Sequence, residues 1–464
     1  MPARIGSRRV PYSATIYLLC DRFDNPLAAG SVNGTNATPG PGVRAVTDTE
    51  SKLSITGSVL SFAGGKASPV WGDPGLWYPA QTRVAGKVLL AKIVNMPTTA
   101  LIKEATGWGT AQSGLMAANV LALNVGNLRQ WDNSSGDIIV GVYASSTTYS
   151  VAHVLRATGA FHIIKGGAFT NWTLVWITGL NSTSTLYPGI LSYNAAFAAD
   201  NILVPATLWL PAPLASDSFT RADGALGTCD GSGHAEKNGG AGLAWTGATW
   251  TISSNAAINT PTVNATLNSG TLTIGSWYKI VTSQTNYFYT GSAANDVFVA
   301  TAATALDANN TVKLLTLSEL LATVPALSTA DTVTDVAPTI TGNVSGGIVC
   351  NLDSISSPAN FVLAYYNKQS GKCCLDEYVA GARTSKIATT ATYAAGAVCR
   401  VVRSGTEARL FYNDVAIGTV QTMTTNTNKI SGMFSTDSGV VLDNFVAWPR
   451  GTSGEYESLG ALIT

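Results

Sequence analysis

The chain has 464 residues, enough for two or three domains that each bury a core. Charged residues make up 12%, about half the roughly 25% usual in globular proteins. The 27 basic and 27 acidic residues cancel, so no basic field is available for nucleic acid or an anionic membrane, and neither is expected as a partner.

At the start, Met1 to Arg9 is basic and Ala14 to Cys20 is apolar. The apolar part is short for a signal peptide and runs straight into Asp21 and Arg22 without a small-residue cleavage site. The expectation is an N-terminal arm and first strand over residues 1–20, in a protein made in the cytoplasm without a signal peptide. No run of about 18 apolar residues follows, so no membrane span is expected.

Asp21-Arg22-Phe23-Asp24-Asn25-Pro26-Leu27 opens a first block, and Asp200-Asn201-Ile202-Leu203-Val204 closes it. Asp217-Ser218-Phe219-Thr220-Arg221-Ala222-Asp223-Gly224 opens a second, which ends on Asp443-Asn444-Phe445-Val446-Ala447-Trp448. Between these limits, Ser54 to Leu60 matches Trp250 to Ala256, and Val84 to Ala91 is set against Asn360 to Tyr366. A repeat of this length means two copies of one module.

Within each block, apolar runs alternate with tight-turn residues. Phe161 to Lys165, Gly166-Gly167 and Trp172 to Ile177 read as a hairpin, matched to Cys399 to Arg403, Ser404-Gly405 and Ala408 to Tyr412. Helical periodicity is confined to Thr110 to Ala118 and Ser318 to Ala322, a turn or two each. The predicted fold is all-β: two tandem antiparallel jelly-roll sandwiches, the second with a small inserted β subdomain. The boundaries are 21–204 for the first sandwich, 205–213 for a Pro-rich linker, 214–259 with 341–450 for the second, 260–340 for the insert and 451–464 for a C-terminal tail.

The chemistry-bearing residues are sparse. Six cysteines without C-x-x-C spacing give neither a zinc site nor a dense disulfide framework. None of the eight glutamates stands in a Glu-x-Asp-x-x-Glu pattern, which on a strand would place carboxylates on one face for glycoside hydrolysis; Asp376 and Glu377 point to opposite faces, and Glu455-x-Glu457 falls in the predicted tail. Three histidines, His153, His162 and His234, come without a G-x-S-x-G elbow. His162 falls in an apolar strand and His234 in a loop. The prediction is a protein that is not an enzyme.

Binding has better candidates. Trp71-Gly72-Asp73-Pro74-Gly75-Leu76-Trp77-Tyr78 puts three aromatic rings and an acid on a turn-bearing loop, with Trp71, Asp73, Trp77 and Tyr78 as the candidate saccharide contacts. The same rings would serve equally to close the edge of a sandwich. Tyr365-Tyr366-Asn367-Lys368 and Trp277-Tyr278 carry the same two readings.

Ser216 to Gly227, the Leu410 to Val415 hairpin and the closing Asp443-Asn444-Phe445 resemble concanavalin A-like, laminin-G-like jelly rolls over residues 214–450 apart from the insert, and more faintly over 20–204. Such modules recur in bacteriophage tail appendages and head-surface proteins. The resemblance implies a non-enzymatic virion surface protein, assembled with other virion proteins as a homo-oligomer, first of all a trimer, and able to bind host-surface polysaccharide. The alternative is a secreted carbohydrate-binding adhesin or the binding part of a glycoside hydrolase. It also implies a site where the opening and closing acids meet, with Asp217 and Asp443, or Asp21 and Asp200, as ligands of a structural Ca²⁺. Turn capping by the same side chains is the other reading.

Overall fold

The computed structural model describes residues 17–462 except 39, 66, 69, 71–72, 95–102, 113–118, 125–126, 132–137, 180–181, 194–195, 232–239 and 426. Among these the chain is all-β, with two short 3₁₀ turns as its helical content. It divides into two compact units, residues 1–211 with 451–464, and residues 212–450. The first unit is therefore discontinuous in sequence.

Each unit is built on two antiparallel sheets. In unit 1 one sheet runs, edge to edge, through Phe169–Thr178, Ala160–Gly166, Tyr149–Leu155, Val88–Val94, Ala196–Pro205, Val59–Ala63 and Leu53–Thr56. The first strand, Tyr17–Asp21, also pairs with Ala196–Pro205. In unit 2 the equivalent sheet runs through Val415–Thr422, Glu407–Tyr412, Cys399–Ser404, Thr332–Ile340, Val440–Pro449, Ala256–Asn259 and Trp250–Ser253, with Ala215–Asp217 paired to Val440–Pro449. The opening acid meets the closing strand in both: Asp21 is opposite Ile202 and Asp217 is opposite Phe445.

This strand order corrects two of the matches drawn from sequence. Counted from the closing strand, Val88–Val94 corresponds to Thr332–Ile340, and Phe361–Asn367 to Asn119–Asn124 in the opposite sheet. Tyr149–Leu155, not Ala160–Gly166, likewise holds the place of Cys399–Ser404. Both slips have one cause: apolar strands of similar composition face the same core, and only hydrogen-bond partners distinguish them.

The insert is a separate four-stranded sheet ordered Val263–Leu267, Thr311–Leu315, Trp277–Thr282, Val297–Val299. It has a small core of its own around Leu272, Tyr278, Ile280, Phe298 and Val312. Thr332–Ile340 belongs to the sandwich. The insert thus lies between Ala256–Asn259 and Leu321–Thr323, the connection that in unit 1 joins Val59–Ala63 to Gly75–Trp77. Tyr287 to Tyr289 lie in a bend between Trp277–Thr282 and Val297–Val299.

Residues 451–462 pack on unit 1. Tyr456 and Leu459 are buried there, and Glu457 accepts from Lys165 Nζ (2.5 Å) and Trp172 N (3.0 Å). Trp209 Nε1 donates to Ser458 Oγ (2.9 Å). All six cysteines are buried free thiols.

In unit 1, His153 and His162 face each other across two paired strands, fully buried, with their Nδ1 atoms 2.8 Å apart. One Nδ1 must donate and the other accept, so two imidazolium rings cannot share the contact. Burial, with the His162 charge adding to it, holds His153 well below the usual imidazole range. Its folded-state affinity for a proton is thus lower than in the unfolded chain, near pH 6.5. The stabilisation is complete above that pH and is lost as pH falls below it. Unit 1 is expected to lose up to about 1.4 kcal/mol per pH unit between pH 6.5 and 5.5, before carboxylates titrate. A ¹⁵N-imidazole titration checks this: His153 protonated in the folded protein at pH 6 contradicts the account.

Candidate functional site

Each opening acid closes its sandwich in the same way. Asp21 is fully buried, and Arg44, itself 1% exposed, holds both its oxygens through Nε (2.6 Å) and Nη2 (2.7 Å). Tyr78 Oη (2.7 Å) and the Phe23 backbone N–H (3.0 Å) donate to the same carboxylate. In unit 2 Asp217 accepts from Arg221 Nη1 (2.6 Å) and Nη2 (3.0 Å), Trp245 Nε1 (2.7 Å) and the Phe219 N–H (2.8 Å). Phe23 and Phe219 have φ of 53° and 54°, an αL turn that points the amide back at the acid. The repeated acid-x-aromatic signature is a clasp: an arginine, an aromatic donor and a turned backbone amide around one carboxylate.

This geometry does not fit Ca²⁺ at Asp21, Asp200, Asp217 and Asp443. A calcium ion needs six to eight oxygens, whereas both opening carboxylates are already neutralised by a guanidinium that would repel it. Asp200 pairs with Lys92, and Asp443 Oδ1 accepts from the Asn444 N–H at 2.7 Å. Burial raises the Asp443 pKa, with the Asp217 charge adding to it. Among the described residues no three His, Cys, Asp or Glu side chains converge.

The aromatic loop of unit 1 is also structural where it is described. Trp77 is fully buried, and its indole lies against Gly189 and Gly109, where an added Cβ would fall 2.5 Å and 2.9 Å from ring atoms. Tyr78 is buried on Asp21, and Asp73 accepts from the Thr49 N–H at 3.1 Å. Neither ring presents a face to a sugar. Trp71 lies outside the described residues, as does His234.

A cavity of about 270 Å³ lies in unit 2, between the insert and the sheet carrying Phe361–Asn367, Lys372–Val379 and Ala382–Thr390. The insert contributes Phe288, Tyr289 and Phe298 with Thr301, Ala302 and Thr304. From the sheet side come Tyr365, Asn367, Gln369, Lys372, Arg383 and Ser385. Phe288 and Tyr289 are half-buried, so their rings are accessible from the cavity. Tyr289 is fixed by a bond from its Oη to Asp296 (2.6 Å), and burial together with that acid raises its pKa.

The insert is seated by Trp277, which packs edge-on to Tyr365 (ring centroids 5.6 Å) and tilted against Phe434 (5.2 Å). Tyr378 Oη donates to Gly275 O (3.2 Å), and Lys279 pairs with Asp437 (2.7 Å). Under it, Asp376 is fully buried, accepting from Arg383 Nε (2.8 Å), Arg383 Nη2 (3.0 Å) and Tyr365 Oη (2.7 Å). Burial raises the Asp376 pKa while Arg383 works against that rise. On the opposite face, Glu377 accepts from the Thr424 and Thr425 N–H groups (2.6 and 2.7 Å) and pairs with Lys386 (3.0 Å). The strand alternation expected for Asp376 and Glu377 is what the structure has. Among the described residues no Asp, Glu or His lines the cavity.

Sequence reasoning reached part of this site. Tyr365 and Asn367 were among the weaker aromatic candidates and do line the cavity, and Trp277 holds its lid. Phe288, Tyr289 and Lys372 were missed as site residues. The signal for the two rings was the aromatic triplet Tyr287-Phe288-Tyr289 beside Gly291.

No protein-family model matches the chain, and no curated protein does. Solved structures with similarity include a carbohydrate binding module, CBM66 from Bacillus subtilis, at 12% identity and TM-score 0.25, covering 28% of this chain and 81% of that one. Another is a glycosyl hydrolase family protein from Mycobacterium fortuitum, at 13% identity and TM-score 0.29, covering 40% and 99%. A beta-1,3-glucanase from Mycobacterium marinum matches at 14% and TM-score 0.27, covering 40% and 98%. Values this low leave function to the geometry of the chain itself.

Proposed function

We propose that this chain is a non-enzymatic saccharide-binding protein displayed on the surface of a bacteriophage virion, with the cavity of unit 2 as its binding site. The observation that carries the binding reading is the lining. Half-buried aromatic rings on one wall face amides, hydroxyls and cations on the other, the combination that holds sugar rings by stacking and hydrogen bonds. The non-enzymatic part is supported by the same wall, since glycoside hydrolysis needs two carboxylates about 5–9.5 Å apart at the bond, and Asp376 and Glu377 are committed on opposite faces. Virion display rests on the jelly-roll motifs and the low charge. Many copies in an oligomer would turn weak single contacts into avidity.

Ala302 is exposed at the cavity wall, so Ala302→Trp blocks the cavity without touching the core. On a glycan array the wild-type protein is expected to bind and the variant to lose at least about tenfold in affinity, the equivalent of ~1.4 kcal/mol. Array binding that the tryptophan leaves unchanged would remove this cavity from consideration, and release of reducing sugar would overturn the non-enzymatic reading. Immunogold labelling of intact particles tests the location: recovery from culture medium with no particle labelled contradicts virion display.

A further inference from the structure

We infer that the insert converts the outer face of the unit 2 sheet from an open groove into a closed-ended pocket, which takes the terminal, carboxylate-bearing residue of a glycan. This rests on the saccharide-binding reading above and narrows it in two respects: which part of the chain enters, and what charge it carries.

The first respect follows from what the insert covers. Tyr365, Asp376, Tyr378 and Phe434 on that face are 0–2% exposed, and Trp277 and Gly275 are the groups set over them. A polysaccharide cannot run across a face so occupied. What remains is the cavity beside Asn367 and Lys372, at about 270 Å³ smaller than the ~300–1,000 Å³ usual for sites that enclose a drug-sized ligand. It has room for one sugar ring and part of a second.

The second respect follows from the charges. Among the described residues, Lys372 and Arg383 line the cavity and no carboxylate does. Arg383 spends Nε and Nη2 on Asp376, so that pair is neutral. Lys372 is half-buried and in no ion pair with a described acid, which leaves the cavity one net positive charge in a protein whose overall charge is zero. An ammonium beside aromatic rings and hydroxyl donors discriminates for an anionic sugar, because a neutral one leaves that charge without a counter-ion.

Calorimetric titration of the full chain with galacturonic acid oligomers of two, four and ten residues, and with neutral galactose oligomers of the same lengths, tests both respects. The acidic series is expected to bind about tenfold more tightly than the neutral series, with affinity per chain constant from two residues to ten and the preference falling as salt is raised. Lys372→Gln should abolish the preference for the acidic series, and an unfolding midpoint equal to that of the wild type shows that the variant folds. Equal affinity for acidic and neutral series, with Ala302→Trp still blocking both, overturns this inference and leaves the saccharide reading standing. Affinity that climbs with chain length overturns end-on entry. Binding of no probe that Ala302→Trp can block overturns the saccharide reading along with it.

Discussion

Replacing Asp21 by alanine is expected to destabilise unit 1 by about 3–5 kcal/mol, the usual cost of stranding one partner of a buried ion pair. Arg44 is 1% exposed, and its remaining bonds, from Nη1 to Thr35 Oγ1 (2.9 Å) and from Nη2 to Thr38 Oγ1 (3.4 Å), go to neutral acceptors. Burial disfavours the guanidinium charge, and Asp21 is what reverses this, so that the Arg44 pKa is raised overall. The matching change in unit 2, Asp217→Ala, is expected to cost clearly less. Arg221 is 27% exposed, can rehydrate, and already lies 3.8 Å from Asp230. Denaturant unfolding of the two variants side by side provides the check. A larger loss for Asp217→Ala would contradict the assignment of the cost to a stranded charge. The clasp geometry also predicts that EGTA leaves both midpoints where they are.

Trp277→Ala has the second large expected effect, about 3–5 kcal/mol from removing a buried indole, and its consequence reaches the cavity of unit 2. Trp277 is 2% exposed and belongs to the main core of unit 2 rather than to the small core of the insert. Removing it takes away the contact with Tyr365 and Phe434 that seats the insert over the sheet, and with it one wall of the cavity. Hydrogen exchange should then show faster exchange across Phe361–Asn367 and Lys372–Val379, together with loss of saccharide binding. Trp277→Phe keeps an aromatic ring in place and is expected to retain most of both. Full binding by a stable Trp277→Ala protein would show that the insert is held by its other contacts.

The repeat was legible because its signature residues do local work. Asp21 and Asp217 reach the backbone N–H two residues on, Phe23 and Phe219 take a positive φ, and both features depend on a few neighbours in sequence. What the acids do beyond that was not legible. Their arginines stand 23 and 4 residues away, so the two clasps share no spacing that a sequence comparison could use. A carboxylate waiting for calcium and one waiting for a guanidinium look alike until the cation is in place.

The candidate site divides along the same line. Aromatic clusters mark where rings are needed, but periodicity does not say whether a ring faces solvent. Trp77 and Tyr78 went to the core because glycines at 109 and 189 leave a flat bed for the indole and Asp21 needs the phenol as a donor. Phe288 and Tyr289 stay half-exposed because their turn projects from a subdomain too small to bury them.

By itself, then, the sequence determined the all-β class, the doubling of the module, the start of the insert and the scarcity of catalytic groups, since alternation, turn chemistry and composition act over short ranges. Only the tertiary structure decided which strands are equivalent, that arginine takes the place offered to a metal, and that the insert closes a pocket rather than standing clear of the sheet. Those outcomes depend on which residues meet across 23 to 158 positions of chain, in the Asp21 clasp and the Lys279–Asp437 pair, and that pairing is a property of the folded core.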